Sequence, residues 1–489
     1  MVLAMERNSL ANRARSNRGI SPQARRHSLI VGFCLIHSVM LGHTLAGESW
    51  SISTFSSDIT IPLGHRCMGV LKTKANRVDD PLQAHGLLIK GPEPAIVLVA
   101  LDWCEVRNDS YQQWRRTLAQ AAETSIERVM VCSLHQHDAP VIDAGAQVYL
   151  DSQGLQKELY DPDFHQSCLD KVVQAMKRSL KDERPLTHIG YADALVEKIA
   201  SNRRVQYADG RVAFNRYSRM DSGSTQAKAD EGEIDPYLKS LVFFDHEMPV
   251  AAVSCYATHP MSHYGDGAVS GDFVAIARRR LQQETPGVKQ IYLTGCSGDV
   301  TAGKYNDGAP AMRAVLADRL YVAMKSSFEK ARESDSRRPL NTSNCKFSCE
   351  KLTLPFHDGE SFTREAMLKE LVNVNQSVEN RITAAMGLSS LDRVERGEPI
   401  DLPCFDFGGV KMILFPGESF IRYQLMAQSF AKPNPVIAIG FGECWTGYIP
   451  TEDAFREGFD HGWRWVAEGC EPLIEAKLKS LLNVVDPKP

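Results

Sequence analysis

The segment RVMVCSLHQHDAP, residues 128–140, carries a run of apolar residues that stops at two histidines. Val129–Ser133 is predicted to be a buried strand, and Pro140 ends the segment because proline cannot continue a central strand. His135 and His137 are two residues apart, so both side chains leave an extended backbone on the same face. Such a pair can bind one metal ion, or place one ligand beside one acid/base group. The pair can also be two polar residues in a loop. Residues elsewhere in the chain indicate which interpretation is correct.

The residues before this segment predict a strand, a helix and a second strand. Residues 95–103, AIVLVALDW, form a continuous apolar strand that ends at Asp102, and residues 109–123 form an amphipathic helix. With the strand 129–133, this spacing is typical of a βαβ unit. Asp102 and the histidine pair then lie at the carboxyl ends of neighbouring strands, where open α/β sheets hold their sites. Asp102 either orients one of the histidines or caps the loop after its own strand.

The same succession returns later in the chain. Residues 250–258 form a strand that ends before His259, residues 270–283 a helix, and residues 291–294 the next strand. The glycine-containing stretch 295–301, GCSGDVT, follows at once. Glycines in such a place indicate a sharp turn or a close approach to another group.

Two further strands end in polar residues that can bind a metal ion. Residues 409–415 lead to Glu418, and residues 435–440 lead to Tyr448. Alternation over most of the chain predicts an α/β fold with mixed or parallel β-sheets flanked by helices, and a metal site at the carboxyl ends of strands. Two imidazoles and a carboxylate are a common ligand set for catalytic zinc. Spacing alone, however, does not select these groups among 14 histidines and 60 acidic residues.

The composition is that of a globular protein with no dominant charge. Of the 489 residues, 43% are hydrophobic and 24% are charged, and the net charge is −4. Without a basic field, nucleic acid is excluded as a partner. Twelve cysteines are too sparse for a disulfide scaffold. If the protein is exported, Cys345 and Cys349 are candidates for a disulfide bond.

The first 46 residues differ in composition from the rest of the chain. An arginine-rich leader precedes an apolar run at residues 28–45, and Ala46 is a small residue where a signal peptidase can cut. Residues 1–46 are therefore predicted to be a secretory signal peptide, and the mature protein is expected outside the cytoplasm. The alternative is an N-terminal membrane anchor.

The order of these segments and the residues in them resemble those of the neutral/alkaline, non-lysosomal ceramidase family. Its members are the secreted zinc amidases that split ceramide into sphingosine and a fatty acid. The resemblance runs from Asp58 to about Gly462, and several motifs in one order make it specific. The motifs are Asp58-Ile-Thr-x-Pro, Asn202-Arg203, Ala257-Thr-His259, Ser270-Gly-Asp272, Gly298-Asp-Val-Thr301, Pro416-Gly-Glu418, and Gly447-Tyr448 with Thr451-Glu.

The resemblance implies that residues 47–489 are a ceramidase-like catalytic domain that binds one zinc ion. It implies the zinc ligands His135, His259, Glu418 and Tyr448. It also implies that His137 acts beside the metal as an acid/base and that Arg203 reaches the substrate. Thr301 is a further catalytic candidate, because it keeps a hydroxyl where the family has serine.

Three features depart from the family pattern. The histidine pair is followed by Asp138 and Ala139 instead of serine and glycine. Phe459 stands where the family has a tyrosine, which removes a hydrogen-bond donor to a developing oxyanion. The family's further β-sandwich domain, which follows the catalytic domain, is not expected in this chain. The departures leave ceramide specificity open.

The expected activity is zinc-dependent hydrolysis of the amide bond of ceramide or a related N-acyl lipid. Zinc would lower the pKa of bound water towards about 7 and polarise the carbonyl. His137 would carry the proton to the leaving amine, and Arg203 would place positive charge near the carbonyl. Two other functions stay open, a hydrolase of another amide or ester and a non-catalytic lipid- or glycan-binding protein with the same fold. The expected partners are an N-acyl lipid and, peripherally, a membrane surface.

Overall fold

The structure is a computed structural model, and it describes residues 49–341 and 343–484. The predicted signal peptide, residues 1–46, lies outside these described residues. Within them, no helix combines the length and the apolar character needed to cross a bilayer.

Helices and strands are interspersed along the described residues, with several runs of consecutive strands, and this agrees with the predicted α/β class. The helices are α1 Asn108–Ala121, α2 Ala144–Asp151, α3 Pro162–Ser179, α4 Thr225–Lys228, α5 Asp272–Glu284, α6 Met312–Ala331, α7 Arg364–Val372, α8 Val378–Glu395, α9 Ile421–Ala431, α10 Glu452–Arg456 and α11 Cys470–Leu482. The strands are β1 Trp50–Asp58, β2 Arg77–Val78, β3 Gln83–Lys90, β4 Ile96–Leu101, β5 Glu105–Val106, β6 Val129–Ser133, β7 Val141–Ile142, β8 Arg184–Leu186, β9 His188–Leu195, β10 Ser201–Asn202, β11 Arg204–Gln206, β12 Val212–Phe214, β13 Tyr237–Asp245, β14 Met248–Tyr256, β15 Ala268–Val269, β16 Lys289–Thr294, β17 Val300–Thr301, β18 Arg337–Pro339, β19 Cys345–Leu352, β20 Ile400–Phe407, β21 Lys411–Leu414, β22 Glu418–Ser419, β23 Val436–Ile439 and β24 Tyr448–Ile449.

The first five-stranded sheet has the order β6-β4-β3-β1-β8 and contains the predicted βαβ unit. Strands β4 and β6 are parallel, with Val97 opposite Val129 and Leu101 opposite Ser133, and helix α1 connects them. The remaining pairs, β3 with β4 and β1 with β3 and β8, are antiparallel. The prediction of a mixed sheet is therefore confirmed.

Both faces of this sheet are buried, which explains the continuous apolar run of β4. Val97 and Val99 belong to one hydrophobic core, whereas Leu98 and Ala100 belong to a second core on the opposite face. The same alternation occurs along β6. A strand covered on both faces needs apolar residues at every position. The carboxyl ends of β4 and β6 thus lie between two packed cores.

Two more sheets repeat the mixed pattern. The second sheet has the order β16-β14-β13-β9-β18, and its parallel pair, β14 and β16, is connected through α5 as predicted. The third sheet has the order β19-β20-β21-β23, with β21 and β23 parallel. Helices pack against these sheets, for example α6 against β9 and β13. The predicted α/β class is confirmed.

One predicted feature is wrong. Cys345 and Cys349 both lie on strand β19, and both are free thiols. Four residues of extended chain separate their Cα atoms by about 13 Å, whereas a disulfide requires less than about 7 Å. The two cysteines therefore cannot form a bond with each other.

Candidate metal centre

His135 follows strand β6 in a backbone conformation that is unusual for a residue with a side chain. Its φ is 66°, in the left-handed region. The amide of His135 donates to the carbonyl of Trp103 over 2.9 Å, and the amide of Leu134 donates to Leu101 over 2.9 Å. These bonds keep the chain after β6 beside the chain after β4 and hold the strained residue in place. Strain of this kind is often found at functional sites.

His259 follows strand β14 and is oriented by the glycine-containing turn. Its amide donates to the carbonyl of Val300 over 3.0 Å. Its ring Nδ1 donates to the carbonyl of Ser297 over 2.6 Å and also lies 3.2 Å from the carbonyl of Val300. At Gly298 a Cβ would overlap the backbone carbonyl of Glu418. The predicted close approach is therefore real, and it brings the turn against the segment that carries Glu418.

Glu418 and Tyr448 lie side by side as the first residues of two short strands. Strands β22 and β24 are parallel, with Glu418 opposite Tyr448. The Oε2 atom of Glu418 lies 2.9 Å from Nε2 of His259 and 3.6 Å from Nε2 of His135. His135, His259 and Glu418 thus form one buried group whose ligand atoms all lie within 4.8 Å of one another.

The hydrogen bonds of the two imidazoles show why a cation fits this group. A carbonyl can only accept, so the Nδ1 atom that contacts one must carry the hydrogen. His135 Nδ1 lies 3.1 Å from the carbonyl of Cys104, and His259 Nδ1 contacts Ser297. Burial lowers the pKa of His135 to about 3 and holds that of His259 well below its ordinary value, so both rings are neutral.

Each Nε2 atom therefore presents a lone pair towards the carboxylate of Glu418. Three acceptor atoms facing one another in a buried site repel unless a cation lies among them. Ligand atoms about 2.0–2.1 Å from a tetrahedral ion are about 3.3 Å apart. The 2.9 Å and 3.6 Å separations from Glu418 to the two Nε2 atoms lie on either side of that value. The donor set fits a divalent ion such as zinc.

Tyr448 and Arg203 lie together at the border of this group. Nη2 of Arg203 donates to the hydroxyl of Tyr448 over 3.3 Å. The ring of Tyr448 lies 6.3 Å from the ring of His259. Burial raises the pKa of Tyr448, and the nearby Glu418 carboxylate raises it further, while Arg203 lowers it. A cation beside the phenol would also lower the pKa, as a phenolate ligand requires.

His137 has a different environment from His135. Its ring lies 5.4 Å from His135 and 4.7 Å edge-on from Tyr264. Its Nδ1 atom is buried and has no hydrogen-bond partner among the described residues. Burial and the neighbouring His135, His259 and Arg203 hold the pKa of His137 well below its ordinary value. His137 is thus a neutral ring whose buried Nδ1 atom is unused.

Thr301 and Asp102 are engaged elsewhere. The hydroxyl of Thr301 donates to the carbonyl of Tyr217 over 3.0 Å and accepts from the amide of Gly303 over 3.1 Å. The carboxylate of Asp102 binds both terminal nitrogens of Arg278, over 2.6 and 2.7 Å, and accepts from the amide of Gln83. The hypothesis that Asp102 orients a histidine is wrong, because an arginine of helix α5 uses both of its oxygens.

Two residues beside His135 are not among the candidates that the sequence offers. Cys104 places its Sγ atom 3.8 Å from Nδ1 of His135, and Glu105 places a carboxylate oxygen 3.8 Å from the same nitrogen. Burial raises the pKa of Glu105 to about 7, against the lowering effect of Arg107. The only signal in the sequence is that both residues closely follow strand β4.

Phe459 lies against Tyr448, with ring centroids 5.7 Å apart. Its ring is buried and also contacts Phe214 and Phe420, each at 5.1 Å. The position at which the sequence departs from the family that it resembles therefore adjoins the candidate metal centre. A hydroxyl on this ring would enter a largely aromatic environment.

An apolar cleft of about 450 Å³ adjoins the centre. His461 lies in its wall and also contacts the ring of Tyr448, with centroids 4.7 Å apart. The other lining residues are mostly apolar and include Met68, Phe362, Met367, Trp463 and Trp465. A cleft of this size and character can hold a hydrocarbon chain.

No protein-family model matches the sequence, and a search of curated proteins finds no match. Solved structures do match. The crystal structure of neutral ceramidase from Pseudomonas aeruginosa has a TM-score of 0.62 at 15% identity, and the match covers 89% of this chain and 73% of that chain. A structure of ceramidase complexed with C2 has a TM-score of 0.63 at 14% identity, covering 89% and 74%. The chain therefore has the fold of the neutral ceramidase crystal structures, as the order of its motifs implied.

Proposed function

We propose that this protein is a zinc-dependent hydrolase that cleaves the amide bond of ceramide or a related N-acyl lipid, releasing a fatty acid and an amine. One observation carries the proposal: the Nε2 lone pairs of His135 and His259 converge on the carboxylate of Glu418 within a buried group. This arrangement suits a cation, and its nitrogen and oxygen donors are ones that zinc prefers. We propose one zinc ion per chain, with Tyr448 as the fourth ligand.

A zinc ion in this position supplies Lewis acidity, which makes a water molecule more acidic and polarises a carbonyl. The protein's own residues would then manage the proton and the charge. His137 is neutral and its Nδ1 is unpartnered. It would accept the proton of the attacking water and return it to the leaving amine.

Arg203 would supply fixed positive charge at the carbonyl of the substrate. Its Nη2 atom already lies 3.3 Å from the hydroxyl of Tyr448, and its Nε atom is buried without a hydrogen-bond partner in the described part of the chain. A guanidinium held in this way stabilises a developing oxyanion without having to reorganise. Thr301 is a catalytic candidate in the sequence, but its hydroxyl bonds the carbonyl of Tyr217 and the amide of Gly303, so we propose a supporting role for it in place of a catalytic one.

The apolar cleft supports a lipid as substrate. It begins at His461, beside Tyr448, so a chain bound there would end near the metal centre. Two solved structures with the same fold are of ceramidases. We propose that the cleft receives an apolar chain of the N-acyl lipid, and that the protein meets its substrate at a membrane surface outside the cytoplasm.

The experiment that tests this function is turnover of a panel of N-acyl lipids by the zinc-loaded protein. Ceramides of different acyl length, N-acyl ethanolamines and N-acyl amino acids would be compared, and released fatty acid would be measured by mass spectrometry. Glu418→Gln is expected to lose both metal and turnover. His165→Gln is the matched control, because His165 is a buried histidine that bonds Trp114 instead of a carboxylate.

If the protein holds its zinc but hydrolyses no member of the panel, the proposal is contradicted. In that case a non-catalytic lipid-binding protein with this fold becomes the better description. Binding of the same lipids without hydrolysis would be its signature.

A further inference from the structure

We propose that His461 is a further residue that binds the substrate, through a hydrogen bond from its Nε2–H group to the oxygen of the carbonyl that is attacked. The inference rests on the proposed function and adds one donor to it. Its basis is the direction of one hydrogen bond and the place of the ring between the apolar cleft and the candidate metal centre.

His461 lies where the apolar cleft meets the candidate metal centre. Its side chain lines the cleft, and its ring contacts the ring of Tyr448 edge-on, with centroids 4.7 Å apart. The residue is exposed to solvent, yet protein atoms surround much of the ring. This partial burial lowers the pKa of His461, while the charge of Glu418 raises it and that of Arg203 lowers it. The ring is therefore open to the cleft and close enough to the centre for those two charges to act on it.

The position of the hydrogen on this ring follows from its neighbour in the chain. The backbone amide of Trp463 donates to Nδ1 of His461 over 3.0 Å. Because an amide N–H can only donate, Nδ1 carries no hydrogen and the hydrogen of the neutral ring is on Nε2. Among the described residues, the ring makes this one hydrogen bond. The Nε2–H group is thus left to donate to a molecule in the cleft.

The bond to Nδ1 also stabilises the turn after His461, and this is the simplest alternative role for the side chain. His357 has the same local arrangement, since the amide of Gly359 donates to its Nδ1 atom over 2.9 Å. The ring of His357, however, stacks on Phe362 and does not line the cleft. A turn needs only the acceptor Nδ1. A role in substrate binding must therefore be tested at Nε2.

The chemistry of an N-acyl lipid identifies the acceptor. If its acyl chain lies in the cleft and its carbonyl lies at the metal centre, the carbonyl oxygen is the first acceptor after the apolar chain. Trp463, which also lines the cleft, cannot donate to it, because its indole N–H donates to Glu105 over 3.0 Å. His461 can. The hydrogen bond from Nε2–H strengthens as the carbonyl oxygen gains negative charge during the attack.

This donor is notable because Phe459 offers none. The ring of Phe459 lies 6.5 Å from that of His461 and is nearly parallel to it, and both rings contact Tyr448. Phe459 has no polar side-chain atom. His461 thus provides, beside Tyr448, a hydrogen-bond donor that Phe459 does not.

Two substitutions separate the two ring nitrogens. In His461→Gln, the longer amide places an N–H group near the position of Nε2 and keeps the donor. In His461→Asn, the shorter amide places its oxygen near the position of Nδ1, where it can accept from the amide of Trp463, but no group reaches as far as Nε2. His357→Asn is the matched control, because it makes the same change at a turn outside the cleft.

The first measurement is kcat and KM of the full-length, zinc-loaded variants with an N-acyl lipid. His461→Asn is expected to lose about 10²–10³ in kcat, the contribution of one oxyanion donor, with little change in KM. His461→Gln is expected to stay within about tenfold of the wild type. His357→Asn should keep the wild-type rate. Elemental analysis should find the same metal content in all four proteins.

The second measurement is binding of dodecanoate to the same proteins by isothermal titration calorimetry. This fatty acid presents an acyl chain and a carboxylate oxygen, and its binding does not require turnover. A hydrogen bond to a charged group contributes about 10–100-fold to affinity, so His461→Asn should bind dodecanoate more weakly than the wild type by that factor. His461→Gln and His357→Asn should bind it like the wild type.

Several outcomes would overturn the inference. If His461→Asn keeps its rate while His461→Gln loses it, the side chain only stabilises its turn. Equal losses in both variants, or a loss confined to KM, would show no donor at Nε2 that acts on the developing charge. A loss of rate that comes with loss of metal would mean that His461 acts through Tyr448 and not on the substrate.

Two further provisions keep the test decisive. If circular dichroism shows that His461→Asn does not fold, His461→Ser takes its place, because a serine hydroxyl also accepts from the amide two residues on. Should the protein hydrolyse none of the lipids, the binding of dodecanoate still decides on the donor. Failure of the proposed function and failure of this inference are therefore distinguishable.

Discussion

Replacing His135 by alanine and replacing His137 by alanine are expected to have different consequences, although the two side chains are two residues apart. His135 points Nε2 towards Glu418 over 3.6 Å, within the group that fits a metal ion. His137 keeps Nδ1 unpartnered and lies beside Tyr264. The first substitution removes a ligand, and the second removes a proton carrier.

The expected magnitudes follow from these roles. A partner that merely orients a ligand contributes about 10–100-fold to metal affinity. Loss of a ligand itself, His135, should therefore weaken metal binding by at least about 100-fold. His137→Ala should keep about one metal ion per chain. Its turnover should nevertheless fall by about 10²–10⁴-fold, which corresponds to about 3–5 kcal/mol of transition-state stabilisation.

The assay is elemental analysis of each purified variant beside hydrolysis of an N-acyl lipid, with circular dichroism to verify folding. His188→Ala, at the start of strand β9, serves as the control and should retain both metal and turnover. If His137→Ala loses its metal as fully as His135→Ala, both histidines are ligands and the division of roles is refuted. If both variants keep the metal, the ion binds elsewhere.

Three further predictions concern Phe459, the dependence of stability on pH, and the N-terminus. Phe459→Tyr should raise ceramide turnover if the lost hydroxyl beside Tyr448 matters, since one transition-state donor is worth about 10²–10³ in rate; no change or a fall would contradict this. Burial lowers the pKa of His165 from 6.5 to about 4, so the unfolded chain takes up the proton first, and stability should fall by about 3 kcal/mol as the pH drops from 6.5 to 4. His165→Gln, which keeps an acceptor for Trp114, should flatten this loss in denaturant titrations, whereas an unchanged slope would assign it to other groups. N-terminal sequencing of the mature protein should begin near residue 47, and a start at Met1 would rule out cleavage at Ala46.

The sequence alone predicts the strands that lead to the candidate metal centre. Strands β4 and β6 are buried on both faces, so their apolar runs are continuous and easily recognised. The helix between β4 and β6, and the helix between β14 and β16, predict that the two strands of each pair are parallel. Grouping His135, His259 and Glu418 was different, because long stretches of chain separate them and no local pattern relates them. That grouping rests on the resemblance of the motif order to a known family.

The acidic residue beside His135 could not be assigned from the sequence. Asp102 stands at the end of the strand and was the natural choice, yet Arg278 of helix α5 binds its carboxylate. Glu105, three residues later, lies 3.8 Å from the ring instead. The difference depends on how the chain turns after β4 and on an arginine 176 residues away. Neither is encoded in local periodicity.

The wide separation of the metal ligands in the chain has a mechanical consequence. His259 and Glu418 are 159 residues apart, yet their side chains lie 2.9 Å from each other. An ion held there would tie distant stretches together as a covalent bridge does, in a chain whose described cysteines are all free thiols. By analogy with a disulfide, closing a loop of more than about 100 residues stabilises a fold by about 5 kcal/mol. Removal of the ion should therefore make the chain open more readily to proteases far from the centre as well as near it.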